Sequence, residues 1–198
     1  MPINVSFDVR DQFVYAGITY GAVSWVHGRL GLDSASEGME SASARTAGSF
    51  SKQNIDLARI QSLNRRIDLF GCLSVQRAAN NLDPFEKLGL GGVNGVRAYP
   101  NGEAYGDNGW LAQTEVRYAT GAAVPFIFYD MGRIDFSKSS WTTTGNRRSL
   151  AGTGVGVRHT DAAWSAGMTL AWRTQGSDSQ SQPSAHTPTF LANLSCRF

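Results

Sequence analysis

The chain has 198 residues, a net charge of +2 and only 17 % charged residues, against about a quarter in an average globular domain. So small a surplus points to no nucleic-acid partner, and 11 % aromatics with 22 glycines exclude a disordered polyelectrolyte. No apolar run reaches the roughly 20 residues of a membrane helix, which leaves untouched the ~9–11-residue alternating strands of a membrane barrel.

The N-terminal stretch "MPINVSFDVR" lacks the charged and apolar regions of a signal peptide and reads directly as a strand. Ile3, Val5, Phe7 and Val9 alternate there with Asn4, Ser6, Asp8 and Arg10. A second strand is expected over 13–26. Residues 28–49 are small, polar and partly acidic and read as a mobile loop. Strands follow at 50–62 and 66–79, where Ile67, Leu69, Leu73 and Val75 oppose Asp68, Ser74 and Gln76. A fifth is expected at 85–92. Beyond the Gly-rich segment 91–109, strands are expected at 109–118, 125–135, 148–159, 162–173 and 187–198. In these, Trp110, Val116, Trp164, Met168, Leu170 and Phe190 lie on one parity, and Glu115, Arg117, Thr169, Asn193 and Ser195 do not share their neighbours' apolar face.

Ten antiparallel strands therefore emerge, with turn residues between them and almost no helical periodicity. Toward the C-terminus, long connections (93–108, 136–147, 174–186) alternate with short ones (119–124, 160–161), the layout of an outer-membrane barrel. Counting strands back places the 28–49 loop on the short-turn side. Either that turn is unusually long or the strand count fails near Arg29 to Leu32. A barrel is favoured by long strands, by Trp25, Trp110, Trp164, Trp172 and Phe198 near strand ends, and by whole charges on the polar parity. A soluble β-sandwich or lipocalin-like binding module makes the same alternation and stays open.

Enzyme chemistry finds no support. His27, His159 and His186 are scattered, "GTGVG" (152–156) and "GLGG" (89–92) miss the dinucleotide fingerprint, and no nucleophile elbow or zinc-protease motif occurs. No catalytic residue, metal or cofactor is expected. Cys72 and Cys196 fall on opposite parities, which a disulfide cannot bridge. What remains is a lone cation, Arg97, inside "GGVNGVRAYPNGEAYGDNG" (91–109), and a lone carboxylate, Asp130, inside "FIFYDMGRIDF" (126–136). Burying that carboxylate unpaired costs several kcal/mol, so it faces water or meets a cation. Arg97, folded inward on its glycines, is the candidate.

These motifs resemble a known family. "EKLGLGG" (86–92), "VRAYP" (96–100), "GEAYGDNGWL" (102–111), "TEVRY" (114–118) and "FYDMGRI" (128–134) are similar to the C-terminal barrel region of two-partner secretion transporters, the haemolysin activation/secretion proteins of the ShlB/FhaC/HecB type. The resemblance implies an all-β antiparallel transmembrane β-barrel in the bacterial outer membrane with a long inward-folded loop. It implies no enzyme activity. It makes Arg97 the loop-tip cation within a motif begun by Val96, and Asp130 its partner on the barrel wall. Tyr99 would pack the tip, Phe128 and Gly132 would complete the wall motif, and Phe198 would be the terminal aromatic read by the barrel-assembly machinery. The implied partners are a secreted exoprotein and outer-membrane lipid. The family also carries a signal peptide, a plug helix, two periplasmic POTRA domains and roughly sixteen strands. Against that pattern, residues 1–198 are expected to be the C-terminal part of a barrel. A porin-like diffusion channel is the nearest alternative and would need no Arg97–Asp130 pair.

Overall fold

Alternating side chains commit this chain to strands long enough to cross a bilayer. The computed structural model describes residues 1–31, 44–143, 145–182, 184 and 186–197. Nine strands form one antiparallel sheet: β1 (Pro2–Asp11), β2 (Ala16–Leu30), β3 (Gly48–Ser62), β4 (Ile67–Ala78), β7 (Asn108–Tyr118), β8 (Ala123–Asp135), β9 (Arg147–Thr160), β10 (Trp164–Gln175) and β11 (Thr189–Cys196). They pair in that order, so each strand lies beside the next. At about 3.3 Å per residue, an 11-residue strand such as β7 reaches roughly 36 Å, which at a barrel tilt of ~40° spans nearly the ~30 Å of a hydrocarbon core.

Short turns close one end of the sheet. The Asn64 side chain accepts from the amides of Arg66 (2.8 Å) and Ile67 (3.0 Å). Asp161 does the same for Ala163 (2.9 Å) and Trp164 (2.8 Å). These are Asx turns, in which a short polar side chain replaces a backbone acceptor. The long connections leave from the other end.

The fifth expected strand is not part of this sheet. Within 85–92 only Leu88–Gly89 (β5) is extended, and it pairs with Tyr105–Gly106 (β6) as a separate two-stranded ribbon. Pro84 opens a 3-10 turn over Pro84–Glu86 with Asp83 as its cap, and the run is then broken by Gly89, Gly91 and Gly92. A segment so rich in glycine and flanked by proline cannot fill a central strand position. β4 therefore pairs directly with β7. With one strand fewer, the connection between Leu30 and Gly48 leaves from the long-loop end, which removes the inconsistency in the strand count. Residues 32–43 of that expected loop lie outside the described residues, as does Phe198.

The register fixes two faces. On one, Ile3, Val5, Val23, Trp25, Ile55, Ile127, Met168 and Leu194 are exposed. One sheet holds all nine strands, and among the described residues no second sheet covers this apolar face. A sandwich buries that face; here it is bare. The other face carries the chain between β4 and β7. Leu90, Val96, Ala98, Tyr99 and Ala104 from that chain pack with Leu111, Phe126, Phe128, Ile134 and Leu150 from the wall, and form the core. The cysteines hold free thiols.

Candidate functional site

A tight turn makes the loop tip. The Tyr99 amide donates to the Val96 carbonyl (3.0 Å), so Arg97 and Ala98 occupy the two corner positions. The Leu90 amide donates to the Ala104 carbonyl (2.9 Å) and the Val96 amide to the Leu90 carbonyl (2.6 Å), which folds the segment back on itself. The Gly95 carbonyl accepts from the Gln113 side chain of β7 at 2.9 Å.

From that corner Arg97 points into the wall. Its Nε donates to Asp130 Oδ2 at 2.8 Å, its Nη2 to Oδ1 at 2.7 Å, and its backbone amide to Oδ2 at 3.1 Å. This is the parallel fork of a guanidinium on a carboxylate, the geometry that gives such pairs most of their strength. The fourth bond runs from Nη1 to Glu115 Oε1 at 2.6 Å. Glu115 lies on β7 opposite Phe128 of β8, one step along the same face from Asp130. It also accepts from Arg117 Nε (2.7 Å) and from both terminal nitrogens of Arg158 (2.9 Å each). Two carboxylates thus share three arginines. Arg97 is 6 % exposed, Glu115 4 % and Asp130 0 %.

Aromatic rings floor the cluster. The Arg97 guanidinium lies 3.7 Å from the Phe128 ring centroid, and that of Arg158 lies 4.0 Å from Phe126. Stacking on a ring face partly replaces the water these cations lost. Glycines supply the room. A Cβ on Gly132 would meet Leu90 Cδ2 at 2.7 Å, and one on Gly152 would meet the Ala98 Cβ at 2.6 Å. The "GTGVG" run is therefore where the wall admits the loop, not a phosphate cradle.

Tyr99 is fully buried, and its hydroxyl donates toward the carbonyls of Gln175 (3.0 Å) and Ser177 (3.2 Å). Two further buried carboxylates, which the sequence reading did not single out, hold the returning half of the loop. Glu103 accepts from Arg148, from Ser179 Oγ (2.5 Å), from the Gln180 amide (2.9 Å) and from Ser181 Oγ (2.7 Å). Burial pushes its carboxyl up, and the Ser179, Gln180 and Ser181 donors outweigh burial and hold it below the ordinary glutamate value. Asp107 accepts from the amides of Leu82 (3.2 Å) and Lys138 (2.8 Å) and pairs with Lys87 Nζ at 2.9 Å.

Of the expected site residues, the structure brings Val96, Arg97, Tyr99, Asp130 and Phe128 together on one face. Gly132 seats Leu90 rather than the arginine. Glu115 was visible as a charge on the polar parity of its strand, but nothing in the linear order joins it to Arg158, 43 residues away.

The profile of a family described as haemolysin secretion/activation protein ShlB/FhaC/HecB matches residues 4–159. The chain belongs to this family. The ShlB/FhaC/HecB assignment agrees with individual relatives. A heme/hemopexin transporter protein, HuxB, of Haemophilus influenzae is 30 % identical over 170 residues, which cover 81 % of this chain and 30 % of HuxB. HuxB of Haemophilus influenzae strain 86-028NP is 27 % identical over the same length. The chain thus spans about 30 % of these curated relatives. Its fold is similar to CdiB from Escherichia coli, with a TM-score of 0.67 and 17 % identity over 89 % of this chain and 33 % of CdiB. That likeness shows the fold, and the nine strands are part of a barrel wall whose loop-bearing face lies opposite the exposed apolar one.

Proposed function

We propose that this chain forms part of an outer-membrane transporter that passes a secreted partner protein through its lumen, with the loop over 90–107 locked against the inner wall by Arg97. The observation that carries this reading is the fully buried Asp130 gripped by both prongs of Arg97, on a wall whose outer face is apolar and bare. A diffusion channel has no use for a buried cation on a loop tip; a transporter whose conduit must be held in one arrangement while a chain passes does.

The passage lies beside the loop. By register, Asn4, Ser24, Asn54 and Gln76 form one row across β1–β4 on the lumen face, and Ser6, Ala22, Asp56 and Ser74 form the next. Such rows hydrate an extended polypeptide without holding it. The chain works in the bacterial outer membrane, needs no cofactor, and performs no covalent chemistry. Its partners are the secreted exoprotein, the surrounding lipid and, through Phe198, the machinery that inserts barrels.

The test places Arg97→Ala and Asp130→Ala in the whole transporter that contains this chain. Secretion of the partner protein into the medium is measured beside heat-modifiable migration, which reports insertion. Secretion is expected to be lost with insertion intact. Undiminished secretion by either variant refutes the locking role.

A further inference from the structure

The lipid-facing surface changes character at the long-loop end. By register, Leu73, Ala112 and Met131 form one apolar row across β4, β7 and β8. The next row outward holds Trp110 beside its cross-strand partner Arg133. One row further, Arg147 of β9 pairs with Asp135 of β8 through Nε–Oδ1 at 2.8 Å. Arg77 and Lys138 flank these rows, and a cavity of about 660 Å³ opens among the six residues Arg77, Trp110, Arg133, Asp135, Lys138 and Arg147.

Four cations thus meet one carboxylate, and that carboxylate is engaged by Arg147. The side chains of Arg77, Arg133 and Lys138 make no hydrogen bond or ion pair among the described residues. All three are exposed. From mid-sheet outward, the order is an apolar row, a tryptophan level that also holds Arg133, and then Arg77 and Lys138. That order matches the depth profile of a lipid leaflet: acyl chain, interface, charged headgroup. Arginine forks and lysine point charges both suit phosphate oxygens.

We propose that this rim is a binding site for the phosphate groups of an anionic lipid of the outer leaflet, a phosphorylated glycolipid whose acyl chains lie along the apolar rows below Trp110. The site rests on the membrane reading above and on the general rule that bacterial barrels turn their longer loops to the outer surface. It would fix the height of β4, β7, β8 and β9, the strands that carry the lock, within the bilayer.

The probe is bisphosphorylated lipid A, with dephosphorylated lipid A as its control. The whole transporter that contains this chain is reconstituted in phosphatidylcholine, insertion is read as protease protection of β7–β9, and native mass spectrometry counts retained lipid. Three cations at roughly fivefold each predict about a hundredfold preference for the phosphorylated form. Arg77→Gln/Arg133→Gln/Lys138→Gln is expected to erase that preference. Arg77→Lys/Arg133→Lys, which keeps the charge, and Arg65→Gln at the turn end are expected to preserve it. An inserted wild-type transporter without preference, or a triple variant that keeps it, overturns the rim site and leaves the membrane reading standing. Displacement of the lipid by an equal concentration of inorganic phosphate also overturns it, because the site would then take free anions. A whole transporter that never inserts overturns the membrane reading and the site with it.

Discussion

Removing the Arg97 side chain tests the lock most directly. Among the described residues, all three hydrogen bonds to Asp130 come from Arg97, two from the guanidinium and one from its backbone. Arg97→Ala leaves a carboxylate of 0 % exposure with a single amide donor and no cation. An uncompensated buried charge of this kind costs about 3–5 kcal/mol. Glu115 is different, because Arg117 and Arg158 still hold it. The double variant Arg97→Ala/Asp130→Ala removes both charges, so its cost falls well short of the sum of the singles, with a coupling of about 2–3 kcal/mol. The Arg97→Ala/Glu115→Ala pair should couple by no more than about 1 kcal/mol. Hydrogen exchange at the Leu90, Val96 and Tyr99 amides reads the loop itself, since each bonds within it. If those amides keep wild-type protection in Arg97→Ala, or the Arg97–Asp130 coupling lies below about 0.5 kcal/mol, the ion pair does not hold the loop.

Two further perturbations separate space from charge. Gly152→Val should lift the tip, because a Cβ there falls 2.6 Å from Ala98 and 3.1 Å from the Trp172 carbonyl; overpacking costs about 1–3 kcal/mol, whereas Gly71→Ala, into open space, should stay within about 0.5 kcal/mol by urea titration. Acid should free the 176–182 segment: the folded Glu103 value lies below the unfolded one, so its stabilisation is full above the unfolded value of about 4.3 and is lost as pH falls through the folded value. Limited proteolysis of that segment across the acid range should show this dependence, and Glu103→Gln should abolish it.

The wall was legible in the sequence because one exposed apolar face and one loop-bearing face impose period two on it. Where the alternation was clean, as in β1, β7 and β10, the strands lie within about two residues of the expected positions. It failed where a third surface intervenes. In β8 both parities are apolar, since Phe126, Phe128 and Ile134 face the loop while Ile127, Tyr129 and Met131 face outward. The 85–92 run has strand-like composition but spends its apolar residues on the loop core, with Leu90 fully buried. The Arg97–Asp130 pairing was open to reasoning because a lone carboxylate in an apolar run needs a cation. The Glu103 and Asp107 clusters were not, because beside Arg148 and Lys87 their donors are backbone amides and hydroxyls, which carry no sequence signal.

The three carboxylate sites divide the work of holding the loop. Asp130 and Glu115 grip the tip from the wall, Glu103 ties the return to the 177–181 segment, and Asp107 ties its end to Leu82, Lys87 and Lys138. Only Asp130, among the three, draws all its hydrogen bonds among the described residues from a single residue. Glu103 and Asp107 each draw on several donors, backbone amides among them, so no one substitution there removes every bond. The tip is also the only one of the three whose cation comes from the loop turn itself. Loss of Arg97 therefore removes the corner's ion pair with the wall, while the Ala98 carbonyl stays bonded to Thr189 Oγ1 at 3.0 Å and the Tyr99 hydroxyl to Gln175 and Ser177.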